Sequence, residues 1–200
     1  MSENLTIELS GLAGVGKTSV VRTITELNPY IYRARLKDIP KFRLFFPDFK
    51  VLFNTVAFLY SIKVRRPQKF LKSLIKLYLV QTKLKYSVKM YKISITDHGV
   101  FQTLRTLYQK NNDCYKLINT HIHRLLLPDK LVIIKASLDN ISKRLLDRSG
   151  VVKQYNRGSY LDLTELLIRN SNNFELKSKV FFNDEDINSC AYDILNFISS

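Results

Sequence analysis

Gly11-Leu12-Ala13-Gly14-Val15-Gly16-Lys17-Thr18 decides how this chain is read, because it meets the spacing G-x-x-x-x-G-K-[ST] between a strand-like run and a helical run. Upstream, Leu5-Thr6-Ile7-Glu8-Leu9-Ser10 reads as a strand. Downstream, Val20, Val21, Ile24 and Leu27 fall on one helical face. In that setting the glycines let the main chain wrap closely, and inward-facing N–H groups together with a positive helix end form an anion cradle. Lys17 then reaches the β- and γ-phosphates of a nucleotide, and the Thr18 hydroxyl can ligate the Mg²⁺ that bridges them. Gly11, Leu12, Ala13, Gly14, Val15, Gly16, Lys17, Thr18 and Ser19 are the expected nucleotide-binding residues, with ATP and Mg²⁺ as the expected cofactors.

Working outward, Asn28-Pro29 ends the first helix, and residues 30–36 can form a second strand. Residues 42–92 are helical in pattern and strongly basic, interrupted at Arg65-Arg66-Pro67, where the proline suits a helix start. Residues 92–96 and 131–135 read as the third and fourth strands, and residues 180–182 are a candidate fifth. Helical patterns occupy 101–109, 115–126, 138–148, 161–174 and 187–198. Strands alternating with helices predict an α/β three-layer sandwich, a five-stranded parallel sheet covered on both faces. One domain over residues 1–200 is expected, with a helical insertion at about 40–91. Glu8 is out of place in a strand buried on both faces, and the reading puts it near the strand's open end.

The bulk properties narrow the classes. A chain of 200 residues, 46% hydrophobic, can bury a core without staples. Its two cysteines, Cys114 and Cys190, lie far apart with no His/Cys cluster, so neither a disulfide framework nor a zinc site is indicated and they read as free thiols. No signal core and no apolar run of spanning length are read, so a cytoplasmic protein is expected. The formal charge of +15 suits a nucleic acid, an anionic membrane or a phosphorylated substrate, and equally a basic solvated surface. Lys69, Lys72, Lys76 and Lys83 read as the wet side of an amphipathic helix whose other residues pack inward, the alternative being a face for an anionic membrane, a nucleic acid or an acidic partner.

No N-K-x-D guanine signature is present, which turns the reading from GTPases to small kinases. The chain resembles the nucleoside-monophosphate-kinase-like P-loop kinases, in particular thymidylate-kinase-like and deoxynucleoside-kinase-like proteins. The likeness rests on the strand and loop of residues 7–18, on Asp97-His98-Gly99, on Pro128-Asp129-Lys130 with the strand after it and Ala136-Ser137-Leu138, and on the arginines of residues 144–157. It implies a P-loop NTPase fold and phosphoryl transfer. It also implies that Asp97 organises Mg²⁺ or the acceptor, the other reading being a helix cap or turn. A lid over about 144–160 is implied, with Arg144 at the nucleotide and Arg148 and Arg157 at the transferring group, the other reading being a surface loop with solvated arginines.

Asp97 is followed by His98 where phosphate-binding relatives often carry arginine, so a hydroxyl-bearing acceptor is expected to serve at least as well as a nucleoside monophosphate. His98, Gln102 and Arg105 are the candidate acceptor contacts, a structural histidine and a solvated arginine being the alternatives. Asn183-Asp184 stands where relatives meet adenine, or caps the last helix. The expected function is ATP-dependent transfer to a nucleotide, nucleoside or other small acceptor. The competing readings are an ATP-binding regulator with a macromolecular partner and a polynucleotide end kinase, for which no nucleic-acid motif speaks.

Overall fold

The computed structural model describes residues 4–41, 48–108, 113–149, 176–184 and 186–200. Five strands form one sheet: β1 (Leu5–Gly11), β2 (Ile31–Arg33), β3 (Ile93–Thr96), β4 (Lys130–Lys135) and β5 (Lys177–Phe182). Their order is β2-β3-β1-β4-β5, with every pair parallel, so the predicted α/β sandwich is what forms. Parallel neighbours need long crossovers, and helices supply them. The described helices are α1 (Lys17–Leu27), α2 (Phe49–Ser61), α3 (Pro67–Met90), α4 (Val100–Tyr108), α5 (Asp113–His121), α6 (Leu138–Ser149) and α7 (Ile187–Ser199). The helix read at 161–174 lies outside the described residues.

The two-residue alternation of β4 shows how the layers are built. Leu131 and Ile133 join the cluster of Phe58, Leu77, Leu104 and Ile118 from α2 to α5, while Val132 and Ile134 join Val20, Ile24, Ile141 and Ile194 from α1, α6 and α7. Each fully buried Leu, Ile or Phe side chain contributes about 1.5–3 kcal/mol relative to exposure.

β1 and β3 keep only one apolar side. Ile7, Leu9 and Ile95 enter the second cluster. The intervening Thr6, Glu8, Ser10, Ser94 and Thr96 are also buried. Their partners come from outside the strands: Asp129 accepts from the Thr6 hydroxyl at 2.7 Å, and Gln102 Oε1 lies 3.4 Å from the Ser10 hydroxyl. Glu8 is therefore not at an open strand end. It lies mid-strand at 1% exposure, and its Oε1 accepts from the Gln102 backbone N–H at 2.7 Å, in the N-terminal turn of α4. A carboxylate there satisfies otherwise unpaired helix donors and meets the positive end of the helix dipole.

Several boundaries differ from the sequence reading, among them the fifth strand, which begins at Lys177. The second strand stops at Arg33, because residues 36–38 form a 3₁₀ turn in which Asp38 Oδ2 accepts from the Arg35 N–H at 2.9 Å. α5 ends at His121 and tightens into a 3₁₀ turn at Ile122–Arg124. The cap of α7 is Asp186, which accepts from the Asn188 and Ser189 N–H groups, so Asn183 and Asp184 are free for other work.

Candidate active site

α1 begins at Lys17 on a cap residue, Gly16, whose φ of 89° lies in the left-handed region and which offers no side-chain cap. A Cβ there would also collide with the Asn183 amide. The first turn of α1 thus keeps N–H groups for an anion, as the motif requires. The loop is braced from both sides of the sheet. On one side Asn183 Nδ2 donates to the Val15 carbonyl at 2.7 Å, and the Arg144 guanidinium donates to the Asn183 carbonyl at 3.0 Å and lies 3.4 Å from the Val15 carbonyl. On the other, the Gly11 N–H donates to Gln102 Oε1 at 3.2 Å.

Lys17 folds back over the loop, its Nζ donating to the Gly11 carbonyl at 2.7 Å and the Leu12 carbonyl at 2.6 Å. Burial, and then the Arg105 guanidinium, lower its pKa to about 7 against the pull of Asp97. The Thr18 hydroxyl donates to Asp97 Oδ2 at 2.7 Å, and the same oxygen accepts from Arg33 at 3.1 Å. Burial pushes the Asp97 pKa up, but the Thr18 hydrogen bond and the Arg33 charge outweigh it, and the net shift is downward. Thr18 and Asp97 are therefore a hydroxyl and an ionised carboxylate side by side next to a phosphate cradle. That donor set suits Mg²⁺, which takes one or two protein oxygens and fills its shell with phosphate and water. Among the described residues no group of three His, Cys, Asp or Glu gathers that could hold a metal without such help.

Beside the cradle lies a cleft of about 610 Å³. Thr18, Asp97 and His98 line it, with Leu79, Val80 and Ala34 as an apolar wall and Thr103 and Thr106 as hydroxyls. His98 reaches solvent, yet partial desolvation, aided by Lys83, Lys17 and Lys76, holds its pKa below the ordinary histidine value despite Asp97. Four further cations, Arg33, Arg35, Lys76 and Lys83, complete the lining.

No protein-family model and no curated protein matches the chain. Among solved structures it is similar to a deoxyadenosine kinase from M. mycoides with the products dCMP and a flexible dCDP bound, at TM-score 0.53 and 16% identity over 98% of this chain and 99% of that one. It is equally similar to a thymidylate kinase from Ehrlichia chaffeensis, at TM-score 0.53 and 17% identity over 98% of each chain. The fold is that of the P-loop nucleoside and nucleotide kinases.

Within this kinase fold the expected residues separate into three groups. Lys17, Thr18, Asp97 and His98 come together at the junction of cradle and cleft, and Arg144 sits against the loop. Gln102 and Arg105 are buried, at 6% and 8% exposure, and lie behind the cleft lining: Gln102 fixes the start of the loop, and Arg105 is close enough to affect Lys17. The side chain of Arg148, and Arg157 with the rest of the expected lid beyond residue 149, lie outside the described residues.

Lys83 is the main departure from the sequence reading. It is 4% exposed rather than solvated, and its Nζ donates to the Thr96 hydroxyl at 2.6 Å and to the His98 carbonyl. Only Lys76 of the four lysines read as a wet face shares the cleft with it. Arg33 and Arg35 were not singled out at all. The signal that finds them is their place at and just past the carboxyl end of β2, the edge where ligands of such sheets bind.

Proposed function

We propose that this protein is an ATP-dependent phosphotransferase that moves the γ-phosphoryl group to a small acceptor held in the cleft lined by Asp97 and His98. The observation that carries the reading is the 2.7 Å contact between Thr18 and Asp97, which joins the phosphate cradle to the acceptor cleft at one point. Phosphoryl transfer asks little covalent chemistry of a protein, and catalysis comes from aligning the two reactants and offsetting their charge.

The loop N–H groups and the end of α1 hold the triphosphate, and Lys17 swings from the Gly11 and Leu12 carbonyls to the β- and γ-oxygens. Thr18 Oγ1 and Asp97, together with the nucleotide, would hold Mg²⁺, which when bound would supply further neutralisation of the phosphate charge. Asp97 stays ionised near neutral pH and orients the acceptor's attacking oxygen. Asn183 and Arg144 fix the loop on the side away from the cleft, where the nucleotide base would lie. The solved relatives named above act on nucleosides and nucleotides, and a cleft of this volume with an apolar wall suits an acceptor of that size.

A coupled ADP-release screen over nucleosides, nucleoside monophosphates and sugars, with ATP and Mg²⁺ saturating, tests the reading. Release of ADP in step with one acceptor supports it. Slow release that no small acceptor stimulates would favour the ATP-binding regulator instead.

A further inference from the structure

The lining of the cleft is unbalanced in charge. Arg33 at the end of β2, Arg35 just after it, and Lys76 and Lys83 two turns apart along α3 share the lining with a single carboxylate, Asp97, while the buried Glu8 carboxyl acts on Lys83 from outside the lining. Three observations show that this excess is arranged rather than incidental surface. Lys83 is nearly inaccessible, at 4% exposure, and it spends two of its three N–H donors on the neutral oxygens of Thr96 and His98. Arg33 gives one nitrogen to Asp97 at 3.1 Å, while its Nε is buried and meets no acceptor among the described residues. The two side chains come from separate elements, β2 and α3, that converge on the cleft beside Asp97.

A buried guanidinium donor without an acceptor is disfavoured, and an oxyanion entering the cleft relieves it. Resting on the phosphotransferase reading, we infer that Arg33 and Lys83, with Arg35 and Lys76 at the rim, form an anion subsite beside Asp97, and that the acceptor carries a phosphate monoester. The lack of arginine at position 98 is made good from elsewhere in the fold: β2 contributes a guanidinium and the helical insertion an ammonium. A phosphate acceptor must approach the γ-phosphate against like-charge repulsion, which is the condition these cations offset. A neutral hydroxyl can accept from the Arg33 Nε–H but would leave the excess positive charge of the cleft without a counter-charge.

Calorimetric titration separates this subsite from the nucleotide cradle. The protein is first saturated with a non-hydrolysable ATP analogue and Mg²⁺, then titrated with inorganic phosphate, ribose 5-phosphate, a panel of nucleoside 5′-monophosphates and the matching nucleosides. At least one ester is expected to bind about tenfold or more tightly than its unphosphorylated partner. That preference is expected to fall about tenfold in Arg33→Met and in Lys83→Met, with affinity for the ATP analogue kept within about threefold. Should Lys83→Met fail to fold beside the buried Glu8 carboxyl, Glu8→Gln/Lys83→Met takes its place.

Equal binding of ester and nucleoside would overturn the inference, as would an ester preference that survives both substitutions, or binding of inorganic phosphate with no ester. Failure of the wild-type protein to bind the ATP analogue at all would strike instead at the phosphotransferase reading, and the ester comparison would still be read on the protein alone.

Discussion

The Thr18 hydroxyl donates to Asp97 Oδ2 at 2.7 Å, so the last motif residue and the end of β3 meet on one oxygen that Arg33 also contacts. Asp97→Asn keeps the shape and an oxygen acceptor for Thr18 while removing the charge. We expect kcat to fall by about 10–1000-fold with ATP-analogue affinity changed by less than about fivefold. Steady-state kinetics beside calorimetry read the two effects separately, and an unchanged kcat would reduce Asp97 to a turn-forming residue.

Lys17 titrates near neutrality, at about 7, because burial and Arg105 disfavour its charge. A triphosphate in the cradle favours the charged form, so binding above that pKa draws in a proton, while binding well below it meets a lysine already charged. Proton uptake, read from binding heats in buffers of different ionisation enthalpy, is expected to be larger at pH 8 than at pH 6. The pH-dependent part should vanish in Lys17→Ala, which also lowers kcat by about a hundredfold or more. Identical uptake in the two proteins would show that Lys17 does not titrate on binding.

Gly99 has the Glu8 carboxyl where a Cβ would project, and that carboxyl is held by the Gln102 N–H and cannot retreat to solvent. Gly99→Ala is expected to lower the unfolding free energy by about 1–3 kcal/mol, measured by urea denaturation. A change below about 0.5 kcal/mol would mean that Glu8 yields its place easily.

The Glu8 carboxyl itself offers a pH signature. Burial raises its pKa from 4.5 to about 7, against the opposing hydrogen bonds of the α4 N-terminus and the Lys83 charge. The folded chain therefore keeps this proton at pH values where the unfolded chain has released it. Its contribution is fully present below about 4.5 and is lost as pH rises through about 7. Glu8→Gln retains an acceptor for the Gln102 N–H and removes the titration. Its stability relative to wild type should increase by about 1–3 kcal/mol between pH 5 and pH 8, and parallel pH curves for the two proteins would refute this.

The loop and the sheet were legible because their signals are local. Gly16 needs a left-handed φ in its own backbone, and β4 alternates between two cores that any buried strand must face. Glu8, Lys83 and Arg33 were not, since their roles depend on groups far along the chain. Glu8 is 94 residues from Gln102, and Arg33 is 64 residues from Asp97. Lys83 was the hardest to read: its spacing fits a wet helix face, and only the approach of β3 turns that part of α3 inward, to the Thr96 hydroxyl and the His98 carbonyl. A buried lysine and a solvated one carry the same letter in a helical pattern, and the surroundings decide between them.

The Gln102 backbone N–H donates to Glu8 Oε1, and the Gln102 side-chain oxygen accepts from the Gly11 N–H. This one residue therefore rivets the start of α4 to β1 at two heights, mid-strand and at the loop. The floor under the nucleotide is thereby tied to α4, whose Thr103 and Thr106 line the cleft beside it. A substitution at Gln102 would therefore loosen the alignment of both reactants at once.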